Sequence, residues 1–304
     1  MKQKMTWLIK QLKGLITVTI IALVLTLGVI ILTLVNIPRL IPLQSIKKSI
    51  GKFSNEIGSL IVASLKITIK AIHKPKWEFE IPQNLGTSNW YIGMSNHLSW
   101  GDIFILLFAG HRQVPLLKFF MKDELKWIPI LYLVHKTLNM PFVNRHSKEQ
   151  IKKNPSLRTK DYENTIKSCK RFLRSPSTIF SYAEGTRFSK DKHEKQHSPY
   201  KNLLIPKVGG MATALSAMPN INTLIDYSLI YKSNKRSAWD FLTGRMRHVK
   251  VIVKKYDIPE RLKNKNYSTD EQYREDFKIW IETIWAEKDR KSTRLNSSHL
   301  VISY

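Results

Sequence analysis

Residues 15–37 carry no charged side chain. At about 1.5 Å per residue a helix of that length crosses the roughly 30 Å hydrocarbon layer of a bilayer. The run is longer than the apolar part of a cleaved leader, and no small-x-small cleavage site follows it, so the pattern predicts a retained membrane helix within an anchor over 1–42. Lys2, Lys4, Lys10 and Lys13 precede the run while Arg39, Lys47, Lys48 and Lys52 follow it, so basic residues give no orientation, and a hairpin dipping into one leaflet fits as well as a span. Behind it Ile46, Ile50, Phe53, Ile57, Ile61, Leu65 and Ile69 recur at helical spacing among Lys47, Lys48, Lys52, Lys66 and Lys70. This predicts a basic amphipathic helix within 43–75, either lying on a membrane surface or turning its apolar side to a core.

After Pro75 the period changes. Short apolar runs at 77–80, 90–94, 114–117, 140–143, 177–182, 223–230 and 248–255 alternate with helical patterns at 102–109, 122–138, 159–174, 207–217 and 269–288. That alternation predicts an α/β domain over 76–290 with a mixed, largely parallel sheet flanked by helices. The polar gaps 144–158 and 188–201 read as surface loops. Residues 291–304 add no periodicity and no candidate site, and resemble the peptide encoded by read-through of a sequencing adapter. They are expected to be an unstructured, non-native tail.

Composition narrows the partners. The 304 residues hold 50 Lys and Arg against 23 Asp and Glu, a formal charge of +27, so the molecule should seek anionic surfaces. Without an Arg-rich arm, a zinc-ligand spacing or an RNP-like aromatic strand, and with an apolar segment, the pattern favours anionic lipid over nucleic acid. The single cysteine, Cys169, excludes an internal disulfide. His111, His135, His146, His193 and His197 lack partners at zinc spacing, so no metal site is expected.

Candidate chemistry gathers where apolar runs stop. Trp90-Tyr91-Ile92-Gly93-Met94 ends in Ser95-Asn96-His97, and Asp102 follows one helical turn later. A carboxylate there can orient one imidazole nitrogen while the other acts as a general base, although the same residues also suit a helix cap and a satisfied surface histidine. Phe180-Ser181-Tyr182 ends in Ala183-Glu184-Gly185-Thr186-Arg187. Gly185 permits close backbone approach, Thr186 offers a hydroxyl, and Arg187 a planar fork for phosphate, with a structural Glu–Arg pair as the plain alternative. Met140-Pro141-Phe142-Val143-Asn144-Arg145 is a third such end.

Together these motifs resemble those of the 1-acylglycerol-3-phosphate acyltransferase (PlsC-like) glycerolipid acyltransferase family. Asn96-His97 with Asp102 resembles its Asn-His-x4-Asp motif, Glu184-Gly185-Thr186-Arg187 its Phe-Pro-Glu-Gly-Thr-Arg block, and Phe142-Val143-Asn144-Arg145 its Arg-terminated second block. Leu203-Leu204-Ile205-Pro206-Lys207 stands where a fourth, Pro-containing block belongs. Phrases such as Asn139-Met140-Pro141-Phe142 and Trp285 through Arg290 are similar to the bacterial inner-membrane YihG-type branch. Ala183 replaces the usual Pro, and Asn144 an acidic residue.

The resemblance implies transfer of a fatty acyl group from acyl-coenzyme A or acyl carrier protein, as co-substrate and with no cofactor, to the sn-2 hydroxyl of lysophosphatidate. Another lysophospholipid acceptor is the nearer alternative, and a non-enzymatic basic membrane-bound binder of anionic polymers the distant one. His97 would be the base and Asp102 its partner, with no acyl-enzyme on Cys169. Arg145, Glu184, Gly185, Thr186 and Arg187 would hold the acceptor. Lys118, Lys122, Ile205 and Pro206 are further candidates for acyl or coenzyme contact. The implied location is the inner (cytoplasmic) membrane, with the catalytic domain facing the cytoplasm.

Overall fold

The computed structural model describes residues 2–122, 127, 129–140, 142–143, 153–154 and 156–300. Two long helices open the chain, α1 (Lys2–Asn36) and α2 (Gln44–His73), joined through a 3₁₀ turn, Ile37–Leu40. Pro38 at the start of that turn ends α1. The Asn36 carboxamide then ties the corner, donating to Leu32 O at 2.7 Å and to Ser54 Oγ at 3.1 Å. The helices pack closely because Gly28 leaves room for Ile61, whose side chain an added Cβ would overlap. At the other end the Thr17 hydroxyl meets His73 Nε2 at 2.8 Å.

Helix α2 buries Ile57, Val62, Leu65 and Ile69, and the last three join the domain core. The apolar period therefore marks a core-facing side, and α2 is a packed element rather than a helix attached only to a surface. Its outer side still exposes Phe53, Leu60 and Ile67.

The sheet comprises β1 (Lys76–Glu80), β2 (Tyr91–Ser95), β3 (Leu117–Phe119), β6 (Thr178–Tyr182), β7 (Thr223–Tyr231) and β8 (His248–Asp257); β4 (Met121–Lys122) and β5 (Phe142–Val143) form a separate parallel pair. The order is β1-β8-β7-β2-β6-β3. Every pairing is parallel except β7 with β8. Central β2 is buried at all five positions, as expected of a strand covered on both faces. Gly93 lets β6 approach, since an added Cβ would sit 2.5 Å from the Phe180 ring.

The helices are α3 (Asp102–Gly110), α4 (Pro129–Thr137), α5 (Ser156–Lys170), α6 (Lys190–Lys195), α7 (Gly209–Ala217), α8 (Ala238–Leu242) and α9 (Glu271–Leu300). One core includes Phe172, Met211, Leu215, Phe277, Ile281 and Trp285 against Ile92, Met94 and Ile179. The other includes α2 and α3 side chains against Tyr91, Phe180, Tyr227 and Val251. The mixed, largely parallel α/β class is the one the alternation predicts.

Several boundaries differ, and the run expected as a strand at 114–117 is strand at Leu117–Phe119. The helix expected over 122–138 spans Pro129–Thr137, because Met121–Lys122 pairs with Phe142–Val143 as strand. The 188–201 stretch contains α6, capped by the Ser189 hydroxyl accepting from Lys192 N. The tail expected to be unstructured from 291 continues α9 through Leu300. Ser292 is buried there, and the Thr293 hydroxyl accepts from Asn202 Nδ2 at 2.8 Å. Inward positions Ile281, Ile284, Trp285, Lys288 and Ser292 keep helical spacing, and the two polar ones hide that spacing from an apolar pattern.

Candidate active site

His97 leaves the C-terminal end of β2, where parallel α/β sheets place their ligand sites. Its Nδ1 lies 2.9 Å from Asp102 Oδ2. Asp102 is fully buried and starts α3, and Oδ2 also accepts from Leu98 N at 2.6 Å and Ser99 N at 2.9 Å. The Tyr231 hydroxyl, at the end of β7, donates to Oδ1. Four donors converge on that one carboxylate and hold it in place, and it orients the imidazole ring through Nδ1. Nε2 is then left as the free base, and His97 keeps a side-chain exposure of 19%.

The main chain of His97 is held as tightly as its ring. Buried Asn96 spans to β7, donating from Nδ2 to Leu229 O at 2.9 Å and accepting from Leu229 N at 2.8 Å. Glu184, at 0% exposure, accepts from His97 N on Oε1 at 2.9 Å and from Leu204 N on Oε2 at 3.3 Å. Burial pushes the Glu184 carboxyl up to about 7, against the two backbone donors and nearby Lys288, which favour its charged form. The Tyr182 ring stacks on the imidazole, with centroids 3.9 Å apart and planes at 14°. Burial and the Asp102 charge raise the Tyr182 and Tyr231 phenols well above the ordinary tyrosine range, so both stay protonated.

The second strand end adds the remaining candidates. Gly185 adopts φ +67°, which a side chain would strain, and an added Cβ would meet Lys207 Cδ at 3.0 Å. Ala183 N donates to Ser95 O at 3.0 Å, a bond that the proline usual in this block could not make. Arg187 lies over the Trp100 ring at 4.6 Å, and the Thr186 hydroxyl accepts from Lys192 Nζ at 2.8 Å. The 203–207 stretch runs alongside, with Lys207 N donating to Ala183 O at 2.6 Å and Ile205 N to Gln196 Oε1 at 3.2 Å. Pro206 is buried there.

The structure thus gathers His97, Asp102, Glu184, Gly185, Thr186 and Arg187, with Ile205 and Pro206 beside them. Lys118 stands apart from these residues. It pairs in register with Ile179, three residues short of Tyr182, which places it about 10 Å back along the strand. Its ammonium lies over the Phe172 ring at 5.2 Å, so it is no contact of the His97 centre. Asn144 and Arg145 lie outside the described residues, as does the side chain of Lys122.

Polar partners within this site escape a reading along the chain. Tyr231, Tyr182, and the Lys288–Asp226 pair at 2.7 Å behind Glu184 come from segments far apart in sequence. The one local signal was the hydroxyl at the end of each apolar run.

A 2-acyl-1-lysophosphatidylinositol acyltransferase of Saccharomyces cerevisiae is 22% identical over 244 residues, 70% of this chain. The chain spans 59% of that relative's length. The crystal structure of the 1-acyl-sn-glycerophosphate (LPA) acyltransferase PlsC from Thermotoga maritima matches with a TM-score of 0.56 at 16% identity. That likeness in fold covers 96% of this chain and 97% of the other. The Acyltransferase family model matches residues 76–231, from β1 to the Tyr231 that holds Asp102, which is more than half of the sequence, and the chain belongs to the acyltransferase family.

Proposed function

We propose that this protein is a membrane-associated lysophospholipid acyltransferase, moving a fatty acyl group from the thioester of acyl-coenzyme A or acyl carrier protein to a free hydroxyl of a lysophospholipid. The observation that carries the reading is His97 held by a buried, four-times hydrogen-bonded Asp102 at the open end of the sheet. His97 Nε2 takes the proton of the acceptor hydroxyl as its oxygen attacks the thioester carbonyl. Asp102 stabilises the imidazolium that forms, and the same proton passes to the departing thiolate. No acyl-enzyme is needed, and burial pushes the Cys169 thiol up to about 12, which disfavours a thiolate there.

Arg187 and Arg145 are assigned to the acceptor phosphate, and Thr186 and Gly185 to the backbone beside it. For the acceptor itself, the sn-2 hydroxyl of lysophosphatidate is the first reading. The yeast relative's name favours a second, a lysophospholipid with a larger head group. Among the described residues one helix, within Gln3–Leu40, is long and apolar enough to cross a membrane, which supports membrane attachment; the inner membrane with the domain on the cytoplasmic side is the reading taken from the family resemblance.

Purified membranes supplied with labelled acyl-coenzyme A or acyl carrier protein and a panel of lysolipids test this. Acylation of one lysolipid that vanishes in His97→Ala is expected. Equal labelling by both proteins, or none by the wild type on any acceptor, would reject it.

A further inference from the structure

Four cationic side chains gather away from His97, where the corner of the α1–α2 hairpin meets the sheet edge. Arg39, in the 3₁₀ turn after α1, donates from Nη1 to Asn36 Oδ1 at 2.6 Å and to Thr137 O at 3.3 Å. Its Nη2 reaches the bare backbone of Gly51, 3.4 Å from where a Cβ would stand. Arg171 and Arg174 occupy a 3₁₀ turn after α5 and stand near enough to Arg39 for like-charge repulsion. Asn55 Nδ2 ties α2 to Ser175 Oγ, just beyond that turn, at 3.5 Å. Phe172, in the same turn, receives the Lys118 ammonium on its ring, and its carbonyl is fixed by Trp90 Nε1 at 2.8 Å.

Lys118 is the oddity. Its exposure is 2%, and among the described residues no carboxylate pairs with it or with Arg39, Arg171 or Arg174. Glu56, on α2, is taken by Arg112 at 3.3 Å. Burial, and secondarily Arg39, push the Lys118 amine down to about 7. A buried ammonium facing other cations is costly unless an anion joins it.

We propose that Arg39, Lys118, Arg171 and Arg174 form a phosphate-binding site separate from the catalytic centre. A phosphate fits because its oxygens accept from several guanidinium N–H groups at once and from the lysine as a point charge. The phosphate has two sources, a lipid headgroup or a soluble phosphate compound. The headgroup is favoured by the surroundings, since Ile37, Leu40, Ile41 and Leu43 are exposed beside Arg39, with Leu40 at 86%, and cations flanked by apolar side chains suit the depth of lipid phosphates. The site does not depend on the acyl-transfer reading.

Thermal unfolding of the full chain in neutral detergent, at constant ionic strength, tests it. The arms are chloride, inorganic phosphate, and a short-chain phosphatidate. At saturating ligand the wild type should unfold roughly 3 °C or more above the chloride arm. A shift with phosphatidate alone assigns the lipid source, and one with inorganic phosphate as well assigns phosphate from solution. Lys118→Met should unfold no lower than wild type in chloride, because it removes an unpaired buried charge, and should lose the shift; Arg39→Gln should lose it too. Because phosphatidate is also the product of the proposed reaction, the part of the shift that Lys118→Met and Arg39→Gln lose is the one that counts, and Arg187→Gln should keep that part, which separates this site from the catalytic one. No shift in any arm, or a shift retained in both Lys118→Met and Arg39→Gln, would overturn the proposal.

Discussion

Asp102 accepts from His97, Leu98, Ser99 and Tyr231, and an amide in its place must turn a donor toward some of those donors. Asp102→Asn should therefore lower kcat by roughly 10²- to 10⁴-fold with little change in KM for the acceptor. Steady-state kinetics on a variant with wild-type circular dichroism checks it, and near-normal kcat would refute the assignment. Glu184 yields a pH prediction. With its carboxyl raised from 4.5 to about 7, the folded protein binds more protons than the unfolded between those values. The contribution of this group to stability is thus fully present below about 4.5 and is lost as pH rises through about 7. Catalysis runs the other way, since the charged form is the better acceptor for His97 N and Leu204 N, so kcat should fall as pH drops through 7. Glu184→Gln should flatten the loss of stability, and a pH series of unfolding midpoints shows whether it does.

Helix α9 reaches the site from behind. Trp285 Nε1 donates to Leu204 O at 2.9 Å, Lys288 Nζ donates to Asp226 Oδ1 at 2.7 Å and Tyr227 O at 2.8 Å, and Asp289 accepts from Lys201 N and Asn202 N at 2.8 Å each. Burial raises Asp226 and lowers Lys288 from their ordinary values, so desolvation outweighs their attraction. Lys288→Ala should cost about 3–5 kcal/mol because it strands a buried carboxylate, whereas Lys288→Met with Asp226→Leu should come close to wild type. Denaturant midpoints of the three proteins decide this. Ending the chain at Arg290 removes the Asn202–Thr293 bond, a loss of about 1 kcal/mol, but leaves these contacts, so activity should persist.

Helix α1 does not stand away from the rest. Gln11 accepts from Trp239 Nε1 at 2.6 Å, Gly14 abuts Thr243 and Trp239, and Lys13 Nζ reaches Ile72 O at 3.3 Å. It also exposes Trp7, Leu12, Leu23, Leu27, Ile30 and Leu34, among others, apolar surface of the kind that lipid covers. Deleting residues 1–38 should uncover α2 and α8, giving an aggregating domain rather than a soluble one. Size-exclusion chromatography in the absence of detergent checks that expectation, and a monodisperse soluble fragment would contradict it. The surplus of basic residues, +27 overall, should add a salt-sensitive part to vesicle binding.

Elements whose signal is local were legible along the chain. Charge-free residues 15–37, the strand–helix alternation after Pro75, and the polar ends of β2 and β6 each follow from backbone periodicity and from side chains within one turn of each other. His97 and Asp102, five residues apart, could be paired on that ground alone, and the resemblance to acyltransferase motifs agrees with the family match. Tertiary structure decided what depends on distant partners. Tyr231 reaches Asp102 from 129 residues away, and Asn96 clamps Leu229 across 133. Lys118 went to a buried position against Phe172 because alternation along β3 aims it away from the Leu117 and Phe119 side. The end of α9 is held to the domain through Lys288 and Thr293, whose polar atoms find partners only in the folded sheet and its loops. A hydrophobic pattern records which side chains avoid water, and it carries no record of a polar one whose partner arrives from elsewhere in the chain.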